Sequence, residues 1–416
     1  MIARLIEFAV KARWVVIVLT LIVAAIGVWN IMRLPIDAVP DITNRQVQIN
    51  TSAPQFGPLD MERLVTFPVE TAMSGILGME STRSLSRNGF SQVTVVFRDS
   101  VDIYFARQQV AERLTAARES LPEGVEPQLG PVTTGLGEVL MWDVHFAPRA
   151  EGAADGQVGW QSDGAFLTQD GERLSDPVAQ GAYLRTVQDW IIRPQMRSIP
   201  GVASVDSMGG YEKQYVVEPD ASALAAYGIS FTELADALES ANLSVGANFI
   251  EQNGEAFLVR ADARIRNVDE ISQAVVASRE GVPITVRDVA NVRVGGELRT
   301  GAATAHGEEV VNGVVLMLTG ANGQAVAAAA GARLREISQT LPEGVITEVT
   351  YDRSRLVNAT IATVERNLFE GALLVAVALF LLLGNVRAAI ITTLVIPFSM
   401  LMTAIGMNTL GVSGNL

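Results

Sequence analysis

The side chains able to hold a cation or drive a reaction are few and scattered. The chain has no cysteine and only two histidines, His145 and His306. That excludes disulfides, thiolate metal sites and a cysteine nucleophile, and two imidazoles are too few for a multi-histidine zinc site. A divalent cation is left with carboxylates, which must converge from separate segments. Asp37 and Asp41 in PIDAVPDI are a conspicuous pair. The prolines around them force an extended path, so they read as solvating a linker. DGQ, SDG and QDG within 155–171 hint at calcium loops, but their spacing fits no EF-hand and they read as surface-loop turns. Gly135 and Gly137 make no phosphate cradle, because no strand–GxxxxGK–helix context surrounds them. The 12 methionines, among them Met61, Met141 and Met208, are scattered, as core filler is and a copper(I) or silver site is not. A net charge of −14 argues against a nucleic-acid partner.

The elements that must position any site begin with three apolar stretches. Trp14–Met32 is 19 residues without a charge and Ala388–Met407 is 20, each long enough to cross a bilayer. Between Glu370 and Arg387 lie 16 apolar or small residues, a third span if either charge sits at an interface, and Glu370 reads as such an interfacial charge. The first run follows Arg4, Lys11 and Arg13, as a signal peptide would. It is too long for one, and WNIMRLPIDAVP offers no small-x-small cleavage site, so it reads as an uncleaved anchor. Residues 1–33 carry net +3, residues 363–416 are neutral, and 34–362 hold −17. The positive-inside rule then puts the N-terminus in the cytoplasm, the acidic region outside, and the turn at GNVR (384–387) in the cytoplasm.

Within the outer region a phrase recurs. RLTAARESLPEGV (113–125) is echoed by RLREISQTLPEGV (333–345), 220 positions later, and the frame sets VTVVF (93–97) against GVVLM (313–317) and Asp102 against Asn322. A second echo sets MSGILGMESTRS (73–84) against MRSIPGVASVDS (196–207). Self-similarity at a fixed offset marks a duplicated unit. The first copy reads as strand (45–52), helix (58–75), hairpin (80–99) turning at Asn88-Gly89, helix (102–121) and a short strand at VEPQLG, a βαββαβ order. The second starts at EVLMWDVHFA (138–147). A surface loop (149–176), a helix (182–196) and a hairpin (201–219) follow, and an insertion (220–275) precedes its completion.

These segments carry a family resemblance. LPIDAVPDITNRQVQINTSAP (34–54), FPVETAMSGILGMESTRSLSRNGFSQVTVVF (67–97), TGLGE (134–138), VQDW (187–190), YDRSRLV (351–357) and LLGNVRAAIITTLVIP (382–397) together resemble the heavy-metal branch of the resistance–nodulation–division (RND) efflux pumps, of the CzcA-like cobalt–zinc–cadmium type. The match runs from Met1 to Leu416.

The resemblance implies an α+β membrane protein, with transmembrane helices and a large periplasmic region of two ferredoxin-like (βαββαβ) porter subdomains carrying an inserted docking subdomain. The expected division is 1–33 for the cytoplasmic N-terminus and first span, 34–134 for the first porter subdomain, and 135–219 with 276–350 for the second. The docking insertion is 220–275, the linker helix and second span 351–384, and the third span 385–416. The implied activity is proton-driven export of divalent cations of the Zn, Co or Cd type. The protein would be a homotrimer in the bacterial inner membrane, working with a periplasmic adaptor and an outer-membrane channel. It would be an antiporter rather than an enzyme, without a cofactor, the metal being cargo. In the family the proton-carrying carboxylates sit on a fourth span beyond SGNL, so the chain is expected to be an N-terminal fragment inactive alone. The family match also implies a metal pair, Glu138 in GLGE and Asp189 in VQDW, lining the periplasmic cleft. A solvated strand-start Glu and a helix-surface Asp remain the plainer reading. A multidrug RND pump and a membrane-anchored assembly or scaffold remnant are the alternatives.

Overall fold

The repeated phrase is a repeated physical joint. Asp102 and Asn322 each cap a helix, Asp102 accepting from the amides of Tyr104 and Phe105 at 3.0 Å and Asn322 from Ala325 at 3.0 Å. Such caps satisfy the orphan N–H groups of the first turn. The helices Ile103–Ala117 and Gly323–Ser338 follow, and each Leu-Pro-Glu-Gly-Val turn closes alike. Val125 N–H donates to the Pro122 carbonyl and Val345 N–H to Pro342, both at 3.1 Å. Gly124 and Gly344 sit at φ +80° and +82°, the left-handed region where a side chain is strained. Val125 and Val345, buried, then dock on their cores.

The computed structural model describes residues 11–32, 36–37, 43–149, 154–242, 244–252, 255–262, 264–265, 267–279, 281–297, 299, 301–410 and 414–415. Arg4, Glu7, Arg33 and Asp41, on which the topology and linker readings draw, lie outside them.

The chain is mixed α/β. In the first sheet the strands run Met79–Arg87, Phe90–Phe97, Arg45–Ser52, Pro127–Leu129, all antiparallel. In the second they run Val202–Met208, Glu308–Met317, Glu138–Phe146, Val345–Asp352, with Ala303–Ala305 on an edge. In chain order both sheets are second, third, first, fourth, the arrangement of a split βαβ unit with both helices on one face. Val47, Ile49, Val93, Val95 and Phe97 face the helices of the first, and Leu140, Trp142, Val144, Val311 and Val315 those of the second.

The first helix of each unit contains a π turn, over Met61–Thr66 and Val187–Ile192. A proline stands two residues past each, Pro68 and Pro194. A helical proline lacks an N–H and clashes with the carbonyl four residues back; a widened turn accommodates both. Each π segment buries a polar clamp to its sheet. Thr66 Oγ1 meets Ser91 and Ser86 at 2.6 and 2.8 Å, and Gln188 accepts from Trp142 Nε1 at 3.0 Å.

Two expectations are corrected. Residues 201–219 are not a hairpin. Val202–Met208 pairs with Glu308–Met317, whereas Lys213–Pro219 leaves the sheet and pairs with Ala290–Gly296. Gly209 and Gly210 (φ +78° and +62°) allow the departure through a gap too narrow for side chains, where Cβ atoms would meet the carbonyl oxygens of Val310 and Gly181 at 2.5 and 2.7 Å. Residues 154–176 are more than a surface loop. They form a small three-stranded sheet that seats Phe166 in the second core, stacked on Phe146 at 3.9 Å between ring centroids. Its acidic turns are internally satisfied, Asp155 by Ser162 and Arg149 and Asp163 by Arg173.

Among the described residues, two helices are long and apolar enough to cross a membrane, Arg13–Ile31 and Val386–Thr409. They pack closely, since a Cβ on Gly27 would fall 2.6 Å from Leu401 Cβ, and Asn408 Nδ2 donates to Asn30 Oδ1 at 2.5 Å. The helix Arg353–Leu383 rises directly from the last strand of the second sheet and ends in exposed Leu373, Leu374 and Leu381. Glu370 pairs with Arg366 at 3.0 Å on its polar half.

Candidate cation site

Glu138 opens the central strand of the second sheet directly after a tight turn. Gly137 N–H donates to the Thr134 carbonyl at 3.0 Å, and the Gly137 carbonyl accepts from Met317 at 2.8 Å. A Cβ at Gly137 would lie 2.0 Å from Thr133 Oγ1 and 3.0 Å from the Thr134 carbonyl oxygen, so a side chain there would displace Thr133. Glu138 itself is exposed. It lines a cavity of about 250 Å³ with Gly135, Leu136, Met141, Tyr351, Arg353 and Leu356. Arg353 is 5% exposed and its Nη1 donates to the Leu136 carbonyl, at the corner of the same turn.

Asp189 sits in the π turn and is already neutralised. It accepts from Arg185 Nε at 2.6 Å and Ser207 Oγ at 2.5 Å, with Arg193 Nη1 at 3.4 Å. Its side chain is 16% exposed. Its bond from Ser207 ties the π turn to the strand Val202–Met208, so Asp189 acts as a second polar clamp beside Gln188.

The two carboxylates approach the sheet from different sides. Trp142 bonds to Gln188, so the helix carrying Asp189 covers the Trp142 face. Met141, which shares the cavity with Glu138, points the other way by strand alternation. Among the described residues, no group of three or more His, Asp or Glu is placed to hold a metal ion. The open face also carries a cross-strand row of Asn312, Asp143 and Glu348. Asn312 Nδ2 donates to buried Asp143 at 2.9 Å, and His306 Nε2 lies 3.6 Å from Glu348. Arg353 joins this site only through the fold. Its one signal was position, a cation immediately after the strand ends in YDRSR.

The matching family model covers residues 5–416 and is that of the AcrB/AcrD/AcrF family. The chain belongs to this family. It is 62% identical over its whole length to the nickel-cobalt-cadmium resistance protein NccA of Alcaligenes xylosoxydans xylosoxydans. It is 60% identical to the nickel and cobalt resistance protein CnrA and 48% to the cobalt-zinc-cadmium resistance protein CzcA, both of Cupriavidus metallidurans. It spans 39%, 39% and 37% of their respective lengths. The crystal structure of a heavy metal efflux pump superposes over 99% of the chain with a TM-score of 0.84 at 30% identity, the chain covering 38% of that protein.

Proposed function

We propose that this chain is the N-terminal part of a proton-driven exporter of divalent heavy-metal cations, with nickel, cobalt and cadmium as the preferred cargo. The observation that carries this is its end-to-end similarity to resistance proteins named for those metals, higher for the two nickel–cobalt proteins than for the cobalt–zinc–cadmium one. In this reading 34–134 is the first porter subdomain, and 135–219 with 276–350 the second. The docking insertion grows from 220–275 to 213–296, because Val217, Ile284, Val286, Val289 and Val292 all belong to its core, and this trims the second porter subdomain to 135–212 with 297–350. Arg13–Ile31, the apolar half of Arg353–Leu383 and Val386–Thr409 are three inner-membrane spans. The protein assembles as a homotrimer with a periplasmic adaptor and an outer-membrane channel. The cation is cargo, and no resident cofactor is involved.

Glu138 is the primary ligand in this reading. It is exposed at a cavity that also offers the Met141 thioether and the Tyr351 phenol. Asp189, on the other face of the sheet, is a second and separate cation contact in this reading, a costlier role because it must first release Arg185. The test is uptake of radioactive nickel into everted vesicles holding the protein that contains this chain, under an imposed proton gradient. Uptake should depend on the gradient and fall about tenfold or more in Glu138→Gln, the size of effect expected on weakening a metal site. Gradient-independent uptake, or equal uptake by both proteins, overturns the proposal.

A further inference from the structure

We infer that Arg353 is a positioning residue that ties the membrane-bound helix to the turn bearing Glu138. This rests on reading Glu138 as a cation ligand. Arg353 is the first residue of a 31-residue helix whose far half is apolar and exposed. Its guanidinium is buried, although burying such a charge is costly without strong partners. It donates to the carbonyl of Leu136, 217 positions earlier in the chain. Leu136 occupies the corner of the turn closed by the Gly137–Thr134 hydrogen bond, and Glu138 is the next residue but one. The turn is held on its other side as well, where the Gly137 carbonyl accepts from Met317 N–H at 2.8 Å.

The helix start is equally fixed. Asp352 caps it through Ser354 N–H at 2.8 Å and lies in register with Leu140 of the Glu138 strand. A tilt or axial shift of the helix therefore pulls on the Leu136 carbonyl and reorients the Glu138 carboxylate. The planar guanidinium fork suits this better than a lysine ammonium, because its donors are held in one geometry. Arg353 thereby links a motion within the membrane to the cation ligand.

A purely electrostatic role has the opposite sign. A cation in the same cavity as Glu138 competes with a metal ion, so its removal should tighten metal binding. The chain has no cysteine, so a spin label on Gly135→Cys reports the turn alone. The full chain in lipid nanodiscs is compared as wild type, Arg353→Met, Arg353→Gln and Arg353→Lys, with cobalt(II) binding followed by calorimetry. The strap predicts a more mobile label and about tenfold weaker cobalt binding in Arg353→Met. Arg353→Gln, which keeps an N–H donor without the charge, should recover part of both. Tighter cobalt binding with an unchanged label in Arg353→Met overturns the strap, as does identical behaviour of the Gln and Met variants. Should Arg353→Met fail to fold, a label no more mobile in Arg353→Gln and Arg353→Lys than in the wild type overturns the strap equally. Cobalt binding unaffected by Glu138→Gln overturns the ligand assignment instead, and the label still decides the strap.

Discussion

Asp189→Asn separates a clamp from a metal ligand. The substitution keeps shape and an oxygen able to accept from Ser207 but removes the charge facing Arg185 at 2.6 Å and Arg193 at 3.4 Å. A hydrogen bond to a charged group contributes about 1.5–3 kcal/mol. Removing one member of a well-buried pair costs about 3–5 kcal/mol. The Arg185 and Asp189 side chains are 20% and 16% exposed, so solvent screens part of this, and about 2 kcal/mol remains. That corresponds to roughly a 30-fold change in an opening equilibrium. Hydrogen exchange read by mass spectrometry over 184–196 should therefore be about 30-fold faster in the variant, while peptides from the first sheet keep their protection. Unchanged exchange over 184–196 would refute the clamp and leave Asp189 as a cation contact only.

Other outcomes follow from the packing. Gly313→Ala would place a methyl 2.4 Å from the fully buried Trp142 ring and 2.8 Å from Gln188 Nε2. Overpacking of this kind costs about 1–3 kcal/mol, and a lower urea midpoint with a shifted Trp142 emission is expected; an unchanged midpoint would show that the ring can move. Phe166→Ala empties a buried site stacked on Phe146 and should cost about 3–5 kcal/mol, read as a lower unfolding midpoint. A loss below about 1 kcal/mol would mean that 154–176 only rests on the surface. In the inserted unit, Ser230 amide and hydroxyl hydrogen bonds hold the Glu233 carboxyl below its ordinary value, and Thr285 does the same for Asp288. A depressed folded-state value stabilises above the unfolded value and is lost as pH falls through the folded one. Amide protection at residues 231–241 and 286–289 should thus hold at neutral pH and decline only below the ordinary carboxylate range. Protection that is flat into strong acid, or already falling near neutrality, contradicts the cap assignment.

Local signals in the sequence were reliable where a single short segment held all the information. Asn88-Gly89 turns its hairpin with Gly89 at φ +65°, and the two copies of LPEGV make the same turn. Failures came where the partner was remote or the composition misleading. Gly209-Gly210 looked like a hairpin turn, but the true partner of Val202–Met208 lies about 100 residues on, past the insertion. The Gly/Asp-rich character of 149–176 hid the core anchors Phe166 and Leu174. For Asp189 the warning was present, since Arg185 and Arg193 stand four residues to either side on one helical face. Arg353 was not legible in the same way, because its role depends on a carbonyl brought to it only by the fold.

The cation assignment is tested most directly by titrating nickel(II) and cobalt(II) into the purified chain by calorimetry, wild type against Glu138→Gln, at neutral pH. One saturable equivalent in the wild type, weakened about tenfold or more by the substitution, is the predicted result. Equal binding by both, or none by the wild type, would contradict a cation site built on the Glu138 turn.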